Sequence, residues 1–140
     1  MAGAALAALG GCEVVSAGTL VIEGQPMSWR TRESLAGHGL ASPMHRSRQA
    51  REDDLAAADI VVGLAVEHVE WVRRELPKFA DKTATLKRLV RDGITADLAD
   101  VVLDPSWEDV EDPGGGELPD FQRAAAEVVA LVAELHPMVS

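Results

Sequence analysis

One cysteine, Cys12, stands in a chain of 140 residues. That count excludes an internal disulfide and any cysteine-cluster metal site, and it points to a reducing, cytoplasmic compartment. No apolar run reaches the ~18 residues that a membrane span needs, so an integral membrane protein is excluded. The opening stretch MAGAALAALGG has no Lys or Arg and makes a poor signal peptide. His38, His45, His68 and His136 lack metal-ligand spacing such as H-x-x-x-H, so neither a metal nor another cofactor is expected. Positive charge is also short. Lys and Arg number 13 against 23 Asp and Glu, a net charge of −10, which speaks against a nucleic-acid partner.

What is present is ordinary globular material. Hydrophobic residues make up 47% and charged residues 26%, and the length suits one domain over residues 1–140 with enough sequence for a core. The charges are unevenly spread. Arg30, Arg32, Arg46, Arg48 and Arg51 share one early stretch, whereas every charged residue over 92–120 is acidic. This reads either as solvated faces or as a basic half that meets an anion and an acidic loop that supplies a proton donor.

Periodicity sets the element order. Residues 2–9 read as a helix stopped by Gly10-Gly11, and the β-branched run at 13–16 as a short strand. A helix follows over about 27–37, with Pro26 near its first turn and Gly37 or Gly39 as its stop. Pro43 and the polar run 45–49 mark a loop, and Glu52-Asp53-Asp54 open a short helix. Residues 59–64 are the most hydrophobic strand candidate. Val66, Val69 and Val72 recur at helical spacing, and Pro77 ends that helix. A further strand reads over 83–86 and a helix over 87–92, followed by loop-like sequence to 120. Phe121, Ala125, Val128, Val129, Val132 and Leu135 trace the last helix. The alternation implies an α/β fold with a parallel sheet, although the chain opens in a helix where such folds open in a strand. Trp29, Trp71 and Trp107 read as core or rim aromatics, and His68 as a structural histidine.

Several stretches, taken in order, resemble the low-molecular-weight protein tyrosine phosphatases, in particular bacterial and actinobacterial members. They are MAGAAL at the start, VVSAGT at 14–19, Gly24-x-Pro26 with its helix, HRSRQ at 45–49, ADIVVGL at 58–64 with His68, TATLKRLV at 83–90, and EDPGGG with DFQRAAAEV over 111–128. The resemblance implies a three-layer α/β/α architecture with a four-stranded parallel sheet, the phosphotyrosine protein phosphatase I-like fold. It implies hydrolysis of phosphotyrosine proteins or small phosphomonoesters through a cysteinyl-phosphate. The family signature is C-x5-R-[ST]-P at the end of the first strand. Backbone N–H groups at a helix N-terminus cradle the phosphate, the Arg grips two of its oxygens, and an Asp-Pro on a distant loop protonates the leaving oxygen.

That signature is missing. Six positions after Cys12 stands Gly18, and the first arginine is Arg30, so no nucleophile is assigned. Met1-Ala2-Gly3-Ala4 resembles the stretch that directly follows the family's R-[ST]-P, so the chain is expected to be N-terminally truncated, with its first strand and phosphate loop missing. By the same resemblance Asp112 takes the general-acid position, with Asp104 of Asp104-Pro105 as the less well placed alternative; the bland reading of both is a turn. Gly114 replaces the aromatic that often follows the Asp-Pro. Ser16 matches a residue that braces the phosphate loop from behind, and Ser28 replaces a usual acidic residue. The chain as written is therefore expected to be inactive, the product of a misplaced start. The alternatives are a non-catalytic relative that self-associates through its unpaired strand edge, and a decayed fragment.

Overall fold

Among the described residues, two strands pair into a sheet. Val61–Gly63 (β1) and Thr83–Thr85 (β2) run parallel, with Val61 opposite Thr83, Val62 opposite Ala84 and Gly63 opposite Thr85. A parallel pair needs a crossover, and here it consists of Val66–Glu75 (α4) and the 3-10 helix Pro77–Lys82. Val66, Val69 and Val72 form the buried face of α4 at the spacing read from the sequence. Proline at 77 cannot continue that helix and instead starts the 3-10 turn.

The structure, a computed structural model, describes residues 1–41 and 44–140. Pro43, read above as a loop marker, lies outside the described residues. The chain divides into two compact units, Ala50–Val110 and Met1–Gln49 with Glu111–Ser140. The first holds both strands. Glu52–Ala57 (α3) opens it with three carboxylates in its first turn, where the helix dipole favours them. Leu55, Val72 and Phe79 form a cluster against Ala50, Val61, Trp71 and Leu76. Leu86–Asp92 (α5) follows β2 directly, capped by the Thr85 hydroxyl, which accepts from the Arg88 N–H. The short helix Pro105–Glu108 (α6) closes the unit.

The second unit is helical. Ala2–Leu9 (α1) and Trp29–Ala36 (α2) both pack on Leu118–Val139 (α7). The apolar stripe Ala124, Ala125, Val128, Val132 and Leu135 is the buried face of α7, and Leu35 and Ala5 are the buried apolar residues of α2 and α1. Two expectations need correction. Residues 13–16 form no strand; the nearest ladder contact is one parallel bridge between Gly18 and Gln49. A strand exists only through its partner, and a run of two valines does not supply one. Pro26 is not in the first turn of α2 either. It forms an antiparallel bridge with Arg46, and Ser28 caps the helix by accepting from the Thr31 N–H. The α/β class with a parallel sheet stands as expected, with two strands paired among the described residues.

Candidate functional site

Asp112 lies on the exposed turn that leads into α7. Its Oδ1 accepts the Gly114 N–H at 2.9 Å, and the Gly116 N–H closes the next turn onto the Pro113 carbonyl at 2.8 Å. Gly115 sits at φ +80°, a left-handed conformation that L side chains rarely adopt, which accounts for one glycine in the triplet. Glu117 then caps α7, its N–H donated to Asp120 Oδ2 at 2.9 Å. That backbone donor, and then Arg123 at 2.7 Å, hold the Asp120 carboxyl below the usual carboxylate range. Glu111, Asp112, the three glycines, Asp120 and Arg123 line part of an open recess of about 370 Å³. Its wall is acidic with one guanidinium, and Asp112 is an exposed part of that lining.

Asp104 does different work. Its Oδ1 accepts from the Ser106 N–H at 3.0 Å and from the Ser106 hydroxyl at 2.6 Å, so it caps α6. Those bonds, the hydroxyl's first, hold its carboxyl below the ordinary range, the wrong direction for a proton donor. Both aspartates of the two Asp-Pro pairs are exposed, and Asp112 is the one not committed to a helix cap.

Ser16 is exposed and lies against α1, where a Cβ on Gly3 would collide with its Oγ. It is not among the residues that line the recess. Cys12 is half-buried just beyond the Gly10-Gly11 stop of α1. That is the C-terminal end of a helix, where carbonyls point outward. A phosphate cradle needs the opposite end, with its free N–H groups. No group of three or more His, Cys, Asp or Glu among the described residues could hold a metal ion.

The feature that sequence reasoning missed is a buried charge network in Ala50–Val110. Glu108 is fully buried, at 0% exposure. Arg88 grips it with both arms, Nε to Oε1 at 2.8 Å and Nη2 to Oε2 at 2.9 Å, the bidentate geometry of a planar guanidinium. The Thr85 hydroxyl donates to Oε1 at 2.8 Å and the Asp104 N–H to Oε2 at 2.6 Å. Burial by itself would push the Glu108 carboxyl up; Arg88 and the two other donors outweigh it and hold the carboxyl below its ordinary range. Arg91 stacks on Trp107 at 3.6 Å, and Arg88 lies 5.1 Å from the same ring. Lys87 donates to the Asp109 carbonyl, while Arg73 donates to the carbonyls of Leu98 and Val101. Cations from α4 and α5 thus hold the acidic segment in place. The signal was the basic run Lys87, Arg88 and Arg91 directly before an all-acidic stretch.

A parallel β-helix-β unit, an Asp-Pro-Gly turn and a long C-terminal helix are the parts of an α/β phosphatase. A family model described as low molecular weight phosphotyrosine protein phosphatase matches residues 2–140, and this chain belongs to that family. The low molecular weight protein tyrosine phosphatase from T. tengcongensis is 31% identical with TM-score 0.79, over 96% of this chain and 86% of its own. YwlE arginine phosphatase from Geobacillus stearothermophilus is 28% identical with TM-score 0.82, over 97% of this chain and 80% of its own. Wzb of Vibrio vulnificus, in complex with benzylphosphonate, shares the fold at 16% identity and TM-score 0.81, over 97% of this chain and 86% of its own. No curated protein matches the chain.

Proposed function

We propose that these 140 residues form one phosphatase-type domain that carries the proton-donating side of a phosphomonoesterase and, on their own, turn over no phosphate ester. The placement of Cys12 carries this reading. The chain's one thiol follows the C-terminal end of a helix and precedes Gly18, not an arginine, by six positions. Enzymes on phosphate monoesters reach accelerations on the order of 10²¹. General-acid help from a group such as Asp112 supplies about 10²–10⁴ of that. The rest needs a nucleophile and an anion cradle, and the residues present offer neither.

Where the family's chemistry operates, its substrate class is a phosphotyrosine protein or a small phosphomonoester. The similarity to YwlE, an arginine phosphatase, adds phosphoarginine to the candidate substrates. Asp112 is the group proposed to protonate the leaving atom, and Ser16 the one proposed to brace the phosphate loop. A cytoplasmic setting fits the single thiol, and no helix among the described residues is long and apolar enough to cross a membrane.

The test is release of p-nitrophenol from p-nitrophenyl phosphate by the homogeneous 140-residue chain, with a phosphoarginine arm beside it. Background rates are expected for the wild type, Asp112→Ala and Cys12→Ser alike. Turnover by the wild type that Cys12→Ser abolishes overturns the proposal. One observation favours a second reading, a non-catalytic protein that self-associates. Leu20 is 93% exposed, Met44 86% and Ile22 77%, high for large aliphatic side chains. Light scattering separates the two: an oligomer supports the second reading, and a stable monomer rejects it.

A further inference from the structure

The imidazole of His68 is held in an arrangement that only one protonation state permits. His68 is the third residue of α4, and its ring folds back over the loop that leaves β1. Nδ1 accepts the Leu64 N–H and the Ala65 N–H, each at 3.1 Å. Both bonds need the lone pair on Nδ1, so they form only while Nδ1 carries no proton. The approach is close because β1 ends in glycine: a Cβ on Gly63 would come within 3.0 Å of the His68 Cβ.

The same loop is tied down at two further points. The Leu64 carbonyl accepts the Val110 N–H at 2.8 Å, and the Val66 N–H donates to Asp109 Oδ1 at 2.7 Å. The His68 side chain is 35% exposed, so protons reach it from solvent. Glu67 Oε1 on α4 stands 3.9 Å from Nε2, Asp109 reaches the neighbouring Val66 N–H, and Lys87 on α5 faces Asp109 through its carbonyl.

We propose that His68 is a proton-operated clamp on the loop at the C-terminal end of β1. A second proton on the ring takes up the Nδ1 lone pair and turns that atom from acceptor to donor. It then faces two N–H donors, so both bonds are lost together and the Leu64 and Ala65 amides are freed, while the Leu64 carbonyl stays bonded to the Val110 N–H and Val66 stays held by Asp109. Acidification therefore loosens one loop and leaves the sheet and α4 in place.

The experiment is heteronuclear NMR on the ¹⁵N-labelled 140-residue chain between pH 8 and pH 5. At high pH the His68 ring is expected as the Nε2–H tautomer. As that ring titrates, the Leu64 and Ala65 amides are expected to shift with its midpoint and to lose protection from hydrogen exchange by about tenfold, corrected for the intrinsic pH dependence of exchange. The Val66 amide keeps its protection. In His68→Gln, which retains an acceptor but does not titrate, the Leu64 and Ala65 response to pH is expected to vanish. Amides at 64 and 65 that ignore the His68 ring, or that respond equally in His68→Gln, overturn the proposal. The wild-type titration decides the matter if the variant does not fold.

Discussion

The two units close their irregular segments by different chemistry. In Ala50–Val110, arginines and a lysine reach from helices to grip the loop over 92–110, ending in the buried Arg88–Glu108 pair. In the other unit, mainly neutral groups stitch residues 18–26 to 46–49, joined by the Glu23 carboxylate, which accepts the Gln49 N–H at 3.2 Å. Gln49 spans the gap with both ends of its amide, Oε1 from the Val21 N–H and Nε2 to the Thr19 carbonyl, and Ser47 receives the Gln25 N–H. The charged closure is buried and depends on every partner; the neutral one is half exposed and divides its work among many weak bonds. That contrast predicts how each unit breaks.

The largest effect is expected at Arg88. Arg88→Ala strands a buried carboxylate and should cost about 3–5 kcal/mol in urea melts. Pairing Arg88→Met with Glu108→Leu should recover most of that, since the expense lies in the orphaned charge. A cost under about 1 kcal/mol for the single change would show that the network is not what closes this unit. Leu35→Ala, which removes a buried side chain from the helical unit, is expected next at about 2–5 kcal/mol. Gln49→Ala follows at roughly 1–2 kcal/mol, two neutral hydrogen bonds at a half-buried site. Lys78→Ala ends the series below about 1 kcal/mol, because its ion pair with Glu52 is exposed and salt screens it.

Acid sharpens the same contrast. Glu108 has its carboxyl held below the ordinary range in the folded chain, so its contribution is complete above the unfolded carboxylate pKa of about 4.3 and is lost as pH falls below that. Unfolding followed by tryptophan fluorescence from pH 6 to pH 2 should show that loss, and Glu108→Gln should flatten it. An unchanged profile in Glu108→Gln would assign the acid sensitivity to other carboxylates.

Much of the architecture was legible because it is local. The helical spacing of Val66, Val69 and Val72, the stop at Pro77, the Gly10 cap and the apolar stripe of α7 all follow from backbone periods that any window of the chain displays. Residues 13–16 misled for the same reason: β-branched composition reports a preference, and pairing is not local. Pro26 looked like a helix opener until Arg46, twenty residues on, took it as a bridge partner. At the proposed site, the bond from Ser106 that makes Asp104 the cap of α6 is a contact that a dipeptide pattern does not distinguish from a turn.

Composition and order of residues thus settled the fold class, the family, and the lack of an arginine six positions after the chain's one thiol, because each is a matter of period or of counting. Which carboxylates serve as caps, which is buried against a guanidinium, and which imidazole nitrogen keeps its lone pair were decided only in three dimensions. Those roles depend on hydrogen-bond partners that lie far apart along the chain or on ring orientations set by packing, and no spacing in the sequence encodes them.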